Sequence, residues 1–281
     1  MNNIVLVDKP ADITSFDVIK ILRKRLRIKK IGHAGVLDKM ATGLLICATG
    51  KATKLLSIFE NSYKIYKAQI TLGIKTDTYD ITGRVLEKRK VDIDRSKIEE
   101  TLLKFRGEIE QIPPPFSNVK YKGKRLYKYA LKGEKVDIKP RKIMIYDIKL
   151  IDFDGYVLTI EVKCSKGTYI RTLAHDIGED LGCGGVVSAL RRTFIYPFSV
   201  DEAGDIENPV ILNLEKALYF LDEIVVSEDF LSHIKNGVLP CLIFDCSKLK
   251  ENFYKLVDES GKAIAVIERK DKVYSYKAIF V

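Results

Sequence analysis

The stretch Gly32-His33-Ala34-Gly35-Val36-Leu37-Asp38-Lys39-Met40-Ala41-Thr42-Gly43-Leu44-Leu45 holds the residues best suited to chemistry. Its glycines, with an aspartate and a threonine among them, predict a loop between a basic segment and an apolar one. Such a turn presents the Asp38 carboxylate beside a cationic surface, where it can serve as nucleophile or general base. The competing local role is an Asx turn or a helix cap, with the carboxylate satisfying nearby backbone N–H groups. His33 has the same alternative, as a turn histidine bonded to backbone. Five cysteines (Cys47, Cys164, Cys183, Cys241, Cys246) form no Cys-x-x-Cys pair, and the chain has only three histidines. Neither a metal site nor a disulfide framework is expected.

Several elements must position that loop. Residues 4–7 form an apolar run that reads as a strand. Thr14-Ser15-Phe16-Asp17 has the form of a helix-capping box, and Phe16, Ile19, Leu22 and Leu26 follow at helical spacing. The helix ends in Lys20, Arg23, Lys24, Arg25, Arg27, Lys29 and Lys30. These cations suit either a solvated helix end favoured by the macrodipole or a patch that contacts phosphates. Residues 63–72 alternate as a strand, with Tyr66 on the same face as Ala68, Ile70 and Leu72, the place of a core tyrosine. A helix is predicted over 94–105, and the triple proline 113–115 forces extended chain. Strands at 143–150 and 156–164 lead to Thr168, the predicted cap of a helix with Ile170, Leu173, Ala174, Ile177 and Leu181 on its apolar face. Arg171 lies on its first turn, where a surface ion pair is the commoner role. Gly182 stops the helix.

Past a predicted helix at 212–221 the pattern changes. A short helix over 227–236 ends at Gly237, and strands at 242–244, 253–257, 263–268 and 273–280 are split by turns. Closely spaced strands of this kind predict a small barrel-like domain with its boundary near 221–225. Lys262, Arg269, Lys270, Lys272 and Lys277 make it basic. The 281 residues are 46% hydrophobic and 31% charged, which excludes disorder and low-complexity fibre. The longest charge-free run, residues 40–50, is too short for a membrane helix, which needs roughly 20 apolar residues. The amino terminus lacks the basic n-region of a secretory signal, so a cytoplasmic protein is expected. A net charge of +10 attracts polyanions, nucleic acid among them.

GHAGVLDKMATGLLICATGKATKL resembles the catalytic motif of the TruB family of tRNA pseudouridine synthases, with Gly-His-x-Gly-x-Leu-Asp, Ala-Thr-Gly-Leu-Leu and Gly-x-Ala-Thr-Lys in order. VDKPADITSFDVI is similar to the family's opening Asp-Lys-Pro motif. SYKIYKAQITLGIKTDTYDITG is similar to its tyrosine-bearing strand, and CSKGTYIRTLAHDIGEDLGCGGVVSALRRT to its arginine motif; FRGEIEQIPPPFSNVKYKGKRLYKYALKGE fits as well. The resemblance runs over nearly all of residues 1–220. It implies an α+β catalytic domain over 1–222, built on a central mixed, mainly antiparallel sheet, and a PUA-like RNA-binding domain over 223–281. It further implies isomerisation of the T-loop uridine at position 55 of tRNA to pseudouridine, with the base flipped out and no cofactor or metal. A monomer needing no protein partner and no membrane is expected.

Carried over by motif, Asp38 is the catalytic carboxylate, Arg171 pairs with it and Tyr66 contacts the flipped base. His33 fills the space that base vacates, Leu190 lines the pocket, and Tyr169 and Lys9 also belong to the substrate site. Arg23 and Arg25 are candidate phosphate contacts. The residue types suit the reaction. The N-glycosidic bond must break and the uracil reattach through carbon, so the carboxylate acts ionised, by attack at C6, by attack at C1′ or as a base at C2′. A guanidinium keeps a buried carboxylate charged, and an aromatic ring offers a stacking face. Ala34 and Lys39 depart from the family's usual Thr and Pro, so Asp38 must be held by contacts other than a following proline. The alternative function is a tRNA-binding folding factor whose role does not depend on isomerisation.

Overall fold

A computed structural model describes residues 2–134, 136–271 and 273–281; Lys272 lies outside them. Strand β1 (Ile4–Lys9) leads into helix α1 (Ser15–Leu26), and β2 (Ile31–Ala34) and β3 (Thr42–Thr49) flank the loop that bears Asp38. There follow β4 (Lys64–Leu72), the hairpin of β5 (Ile74–Thr76) and β6 (Val85–Lys88), helix α2 (Arg95–Lys104) and β7 (Gly107–Gln111). Beyond the prolines come β8 (Arg141–Phe153), β9 (Val157–Cys164), α3 (Ile170–Asp180) and β10 (Gly185–Ile195). The chain closes with β11 (Val210–Leu212), β12 (Glu223–Val225), α4 (Leu231–Lys235), β13 (Phe253–Val257), β14 (Ala263–Lys270) and β15 (Val273–Ile279). Two compact units divide it: Met1–Lys39, Gly43–Glu60 and Pro197–Val281 form the first, Met40–Thr42 and Asn61–Tyr196 the second.

In the first unit β1 lies between β3 and β11, antiparallel to both, with Val5 opposite Cys47 and Ile211. A parallel bridge from Val7 to Gly204 makes the arrangement mixed. Val5, Val7, Leu45 and Cys47 pack against Val18, Ile19 and Leu22 of α1. The capping box forms as expected, Thr14 and Asp17 bonding reciprocally. The buried face is rotated from the predicted one: Ser15 and Val18 point inward and Phe16 is 55% exposed. The cause is Ser15, whose hydroxyl bonds the backbone of Leu37 and turns the first helical turn towards the loop.

The same unit carries a four-stranded sheet in the order β12-β13-β14-β15, with β12 parallel to β13 and the other neighbours antiparallel. Leu256, Ile264, Ala265 and Ile267 form its core. The predicted strand at 242–244 is absent; Pro240 starts a 3-10 turn, Pro240–Leu242, and the edge place goes to β12. A second such turn, Cys246–Lys248, folds back on the first, so Cys241 and Cys246 lie 5.2 Å apart at Cα and form a disulfide, contrary to the cysteine spacing argument. The helix predicted at 212–221 shrinks to β11 and one turn, Leu214–Ala217, capped by Asn213. Within the unit the sheet is tied back by Ala263 N donating to Glu215 Oε1 at 2.8 Å and Lys51 Nζ donating to the Val281 carbonyl at 3.3 Å.

In the second unit five antiparallel strands run in the order β10-β4-β9-β8-β7. Ala68, Ile70 and Leu72 of β4 and Leu158, Ile160 and Val162 of β9 are buried, as are Leu173, Ala174 and Ile177 of α3. Asp94 caps α2 by accepting from Lys97 N. Thr168 does not cap α3: its hydroxyl donates to the Ser165 carbonyl, and Tyr169 takes the cap position without a side-chain bond. A β-carbon on Gly178 of α3 would collide with the backbone of Gly184 and Gly185, so only glycine lets the helix lie this close to β10. The fold is α+β, and among the described residues no helix is long and apolar enough to cross a membrane.

Candidate active site

Gly35 turns the chain out of β2 with φ of +78°, a conformation that disfavours any residue with a β-carbon. The buried Ser15 hydroxyl accepts from Leu37 N at 2.9 Å and donates to Leu37 O at 3.3 Å. One residue past Asp38, the Lys39 carbonyl accepts from Asp12 N at 2.8 Å and from Lys9 Nζ at 3.3 Å. Asp38 is therefore pinned through the backbone on both sides, and these bonds supply the constraint that a proline at 39 would otherwise impose. Asp38 is half-buried on this loop. Lys9 is fully buried and also donates to the carbonyls of Pro10 and Ile13, each at 2.8 Å. It braces the loop rather than offering its charge to solvent. His33 lies half-buried on β2, opposite Cys47.

The basic end of α1 is exposed. Arg23 donates to the Ile31 carbonyl at 3.3 Å, and Arg25 pairs with Glu207 at 2.9 Å, so the two arginines selected from the sequence have partners within the molecule. Lys24, Arg27, Lys29 and Lys30 also face solvent. At the other end of the helix the Thr14 hydroxyl and then Lys20 pull the Asp17 carboxyl down to about 2.

In the second unit the register puts Tyr66 opposite Arg192 and Leu190 opposite Ala68, which sets Tyr66, Leu190 and Arg192 on one face of the sheet. Leu190 is buried and Tyr66 half-buried. Arg192 is only 1% exposed, so of the Arg191-Arg192 pair Arg191 alone reaches the surface, and it donates to Thr42 Oγ1 at 3.3 Å. Tyr169 is fixed through its backbone: its N–H donates to Gln111 Oε1 at 3.0 Å, and Gln111 Nε2 donates back to its carbonyl at 3.3 Å.

Arg171 is 6% exposed and is not the surface ion pair its helical position suggests. Nη1 donates to the Thr78 carbonyl and Nη2 to the Phe116 carbonyl, both at 3.0 Å. Nη1 also lies 3.5 Å from Asp80 Oδ2. The other oxygen of that buried carboxylate accepts from Thr78 Oγ1 at 2.8 Å, Thr82 Oγ1 at 2.6 Å and Thr82 N at 3.0 Å. Asp80, Thr78, Gln111 and Phe116 are not singled out by the sequence. The Thr-x-Asp-x-Thr spacing around Asp80 was the available signal, but it also describes an ordinary Asx turn.

Burial, with Glu179 close by, pushes the Asp176 carboxyl of α3 up to about 6. Burial likewise pushes the Cys164 thiol up to about 12, which leaves it protonated and unreactive. Among the described residues no three or more His, Cys, Asp or Glu side chains cluster to hold a metal ion.

The family model for the amino-terminal domain of TruB family pseudouridylate synthases matches residues 23–170, and that for the carboxy-terminal domain of tRNA pseudouridylate synthase B matches 171–235. The chain is 38% identical to tRNA pseudouridine synthase B of Clostridium kluyveri, over the whole length of both. It is 44% identical to that of Clostridium tetani over 85% of each chain. The fold is shared with a chain of an archaeal box H/ACA ribonucleoprotein complex, at 21% identity and a TM-score of 0.73 over 99% of this chain and 86% of that one. On a family model covering more than half of its residues and a full-length relative, the chain belongs to the TruB family of pseudouridylate synthases, which are isomerases.

Proposed function

We propose that this chain isomerises the T-loop uridine at position 55 of tRNA to pseudouridine, with Asp38 as the catalytic carboxylate. The observation that carries this reading is the doubly pinned loop. Bonds on Leu37 and on Lys39 hold the backbone on both sides of Asp38, which positions its carboxylate before any substrate arrives. Arg171 supplies the cation and Tyr66 the aromatic face for a base taken out of its stack. His33, Tyr169 and Leu190 complete the substrate site. The exposed cations of α1, Arg23 and Arg25 among them, bind the phosphate backbone. Lys9 serves that site by holding the loop.

The chemistry is an intramolecular transfer in which the uracil leaves C1′ through nitrogen and returns through carbon, so no co-reactant and no cofactor is required. Residues 1–222 carry the reaction and 223–281 add RNA contacts, in a monomer acting in the cytoplasm. The test is direct: unmodified tRNA is incubated with the protein and pseudouridine is mapped by base-specific chemistry. Stoichiometric product at position 55 supports the reading. Tight tRNA binding with no product at any uridine would return the chain to an RNA-binding folding factor.

A further inference from the structure

The turn that holds Arg171 contains a residue in a conformation its own type does not favour. Tyr79 sits between Thr78, whose carbonyl accepts from Arg171, and Asp80, the anion beside the same guanidinium. Its φ is +62°, in the left-handed region where a bulky side chain is uncommon and some compensating contact is required. The turn depends on that twist. Val187 N donates to the Tyr79 carbonyl at 3.1 Å and Ile81 N donates to the Val187 carbonyl at 2.8 Å, stitching residues 79–81 to β10.

The compensation is on α3. The Tyr79 ring lies flat on the His175 imidazole, with centroids 4.0 Å apart and planes 3° from parallel. His175 follows Arg171 by one helical turn, so both side chains leave the same face of the helix. Its Nδ1 is buried and makes no hydrogen bond among the described residues, so that nitrogen does nothing to anchor the imidazole. The nearby ion pairs from Glu179 to Lys75 (3.4 Å) and Arg89 (3.3 Å) tie down the base of the β5–β6 hairpin, but they are partly exposed and weakened by solvent.

We propose that the Tyr79–His175 stack is a positioning latch for Arg171: it clamps the turn onto α3 with Tyr79 in its left-handed conformation, and so fixes the Thr78 carbonyl and the Asp80 carboxylate around the guanidinium. The proposal rests on the reading of Arg171 as a catalytic residue. Both stacking residues act through Arg171 and are positioning residues.

The test measures single-turnover isomerisation and tRNA affinity for the full-length protein and its variants. His175→Ala lowers the rate at saturating enzyme roughly tenfold, while tRNA affinity and the cooperative melt stay near wild type. His175→Phe keeps a flat ring and restores the rate to within about twofold. Tyr79→Gly accepts the same φ but has no ring, and it loses as much as His175→Ala; it decides the matter if His175→Ala fails to fold. Arg171→Lys loses at least as much, and adding His175→Ala to it costs little more, because the latch has nothing further to position. A folded His175→Ala or Tyr79→Gly protein at the wild-type rate overturns the latch, as does full additivity with Arg171→Lys. A fully active Arg171→Lys protein instead overturns the catalytic reading of Arg171 and the latch with it.

Discussion

Asp80 is where a single charge has the clearest consequence. Asp80→Asn keeps the shape and the threonine bonds but removes the anion beside a buried guanidinium. Hydrogen bonds to charged groups contribute about 1.5–3 kcal/mol, so a rate loss of roughly 10–150-fold is expected, with tRNA affinity changed only a few fold. Single-turnover kinetics with a binding titration check it, and an unchanged rate would contradict the role given to Asp80. Asp176 gives a pH test. The fold holds its carboxyl near 6 against an ordinary value of 3.8, so the folded state binds that proton more tightly than the unfolded state, and ionisation opposes folding. Asp176→Asn therefore raises Tm above pH 6; the gain shrinks as pH falls from 6 to 3.8 and vanishes below, as paired melts across that window will show. The loop of Asp38 was legible because glycine, histidine and aspartate at fixed spacing are a local signal. Arg171 with Asp80, Phe116 and Thr78 was not, since its bonds to Phe116 and Thr78 join residues 55 and 93 positions apart.

At the scale of elements, α1 is both the brace of the loop and its most basic surface. Removing charge at Lys24 and Arg27, which are exposed, should reduce the slope of log affinity for tRNA against log salt by roughly 0.7–0.9 for each phosphate no longer neutralised. The same change at Arg25 should have a smaller effect on the slope, because Glu207 already competes for that guanidinium. Equal slopes for wild type and the Lys24/Arg27 variant would make the helix end a solvated one. Helix boundaries were legible where capping is local: Thr14 and Asp94 accept from the third residue on, and Gly182 and Gly237 take positive φ at the stops. What the sequence hid were the consequences of distant contacts. Ser15 bonds Leu37 and rotates α1 so that Phe16 turns outward, and β12 is an edge strand of three residues that pairs in parallel with residues 255–257.

For the whole molecule, the function proposed above gives residues 223–281 a binding role, and the net charge of +10 suits a polyanionic partner. A fragment of residues 1–222 is expected to bind tRNA more weakly while keeping saturating single-turnover chemistry within about tenfold, roughly 1.4 kcal/mol of barrier. The fragment also loses the bonds from Ala263 to Glu215 and from Lys51 to Val281, so its Tm should fall, and a cooperative melt must accompany the kinetics. A folded fragment that binds as tightly as the full chain but cannot isomerise would contradict this division of labour. The α+β class was legible from alternation, from helical spacing and from the resemblance in motifs. The Cys241–Cys246 disulfide was not, because two 3-10 turns rather than the sequence spacing bring those residues together.

The central claim is that the Asp38 carboxylate performs the isomerisation. Asp38→Asn preserves size and leaves the bonds on Leu37 and Lys39 untouched, so the loop should remain in place. The deciding measurement is pseudouridine formation in unmodified tRNA under single-turnover conditions, with tRNA affinity measured on the same protein. The predicted result is no detectable product with affinity within a few fold of wild type. An Asp38→Asn protein that binds tRNA normally and still forms pseudouridine at an appreciable rate would contradict it.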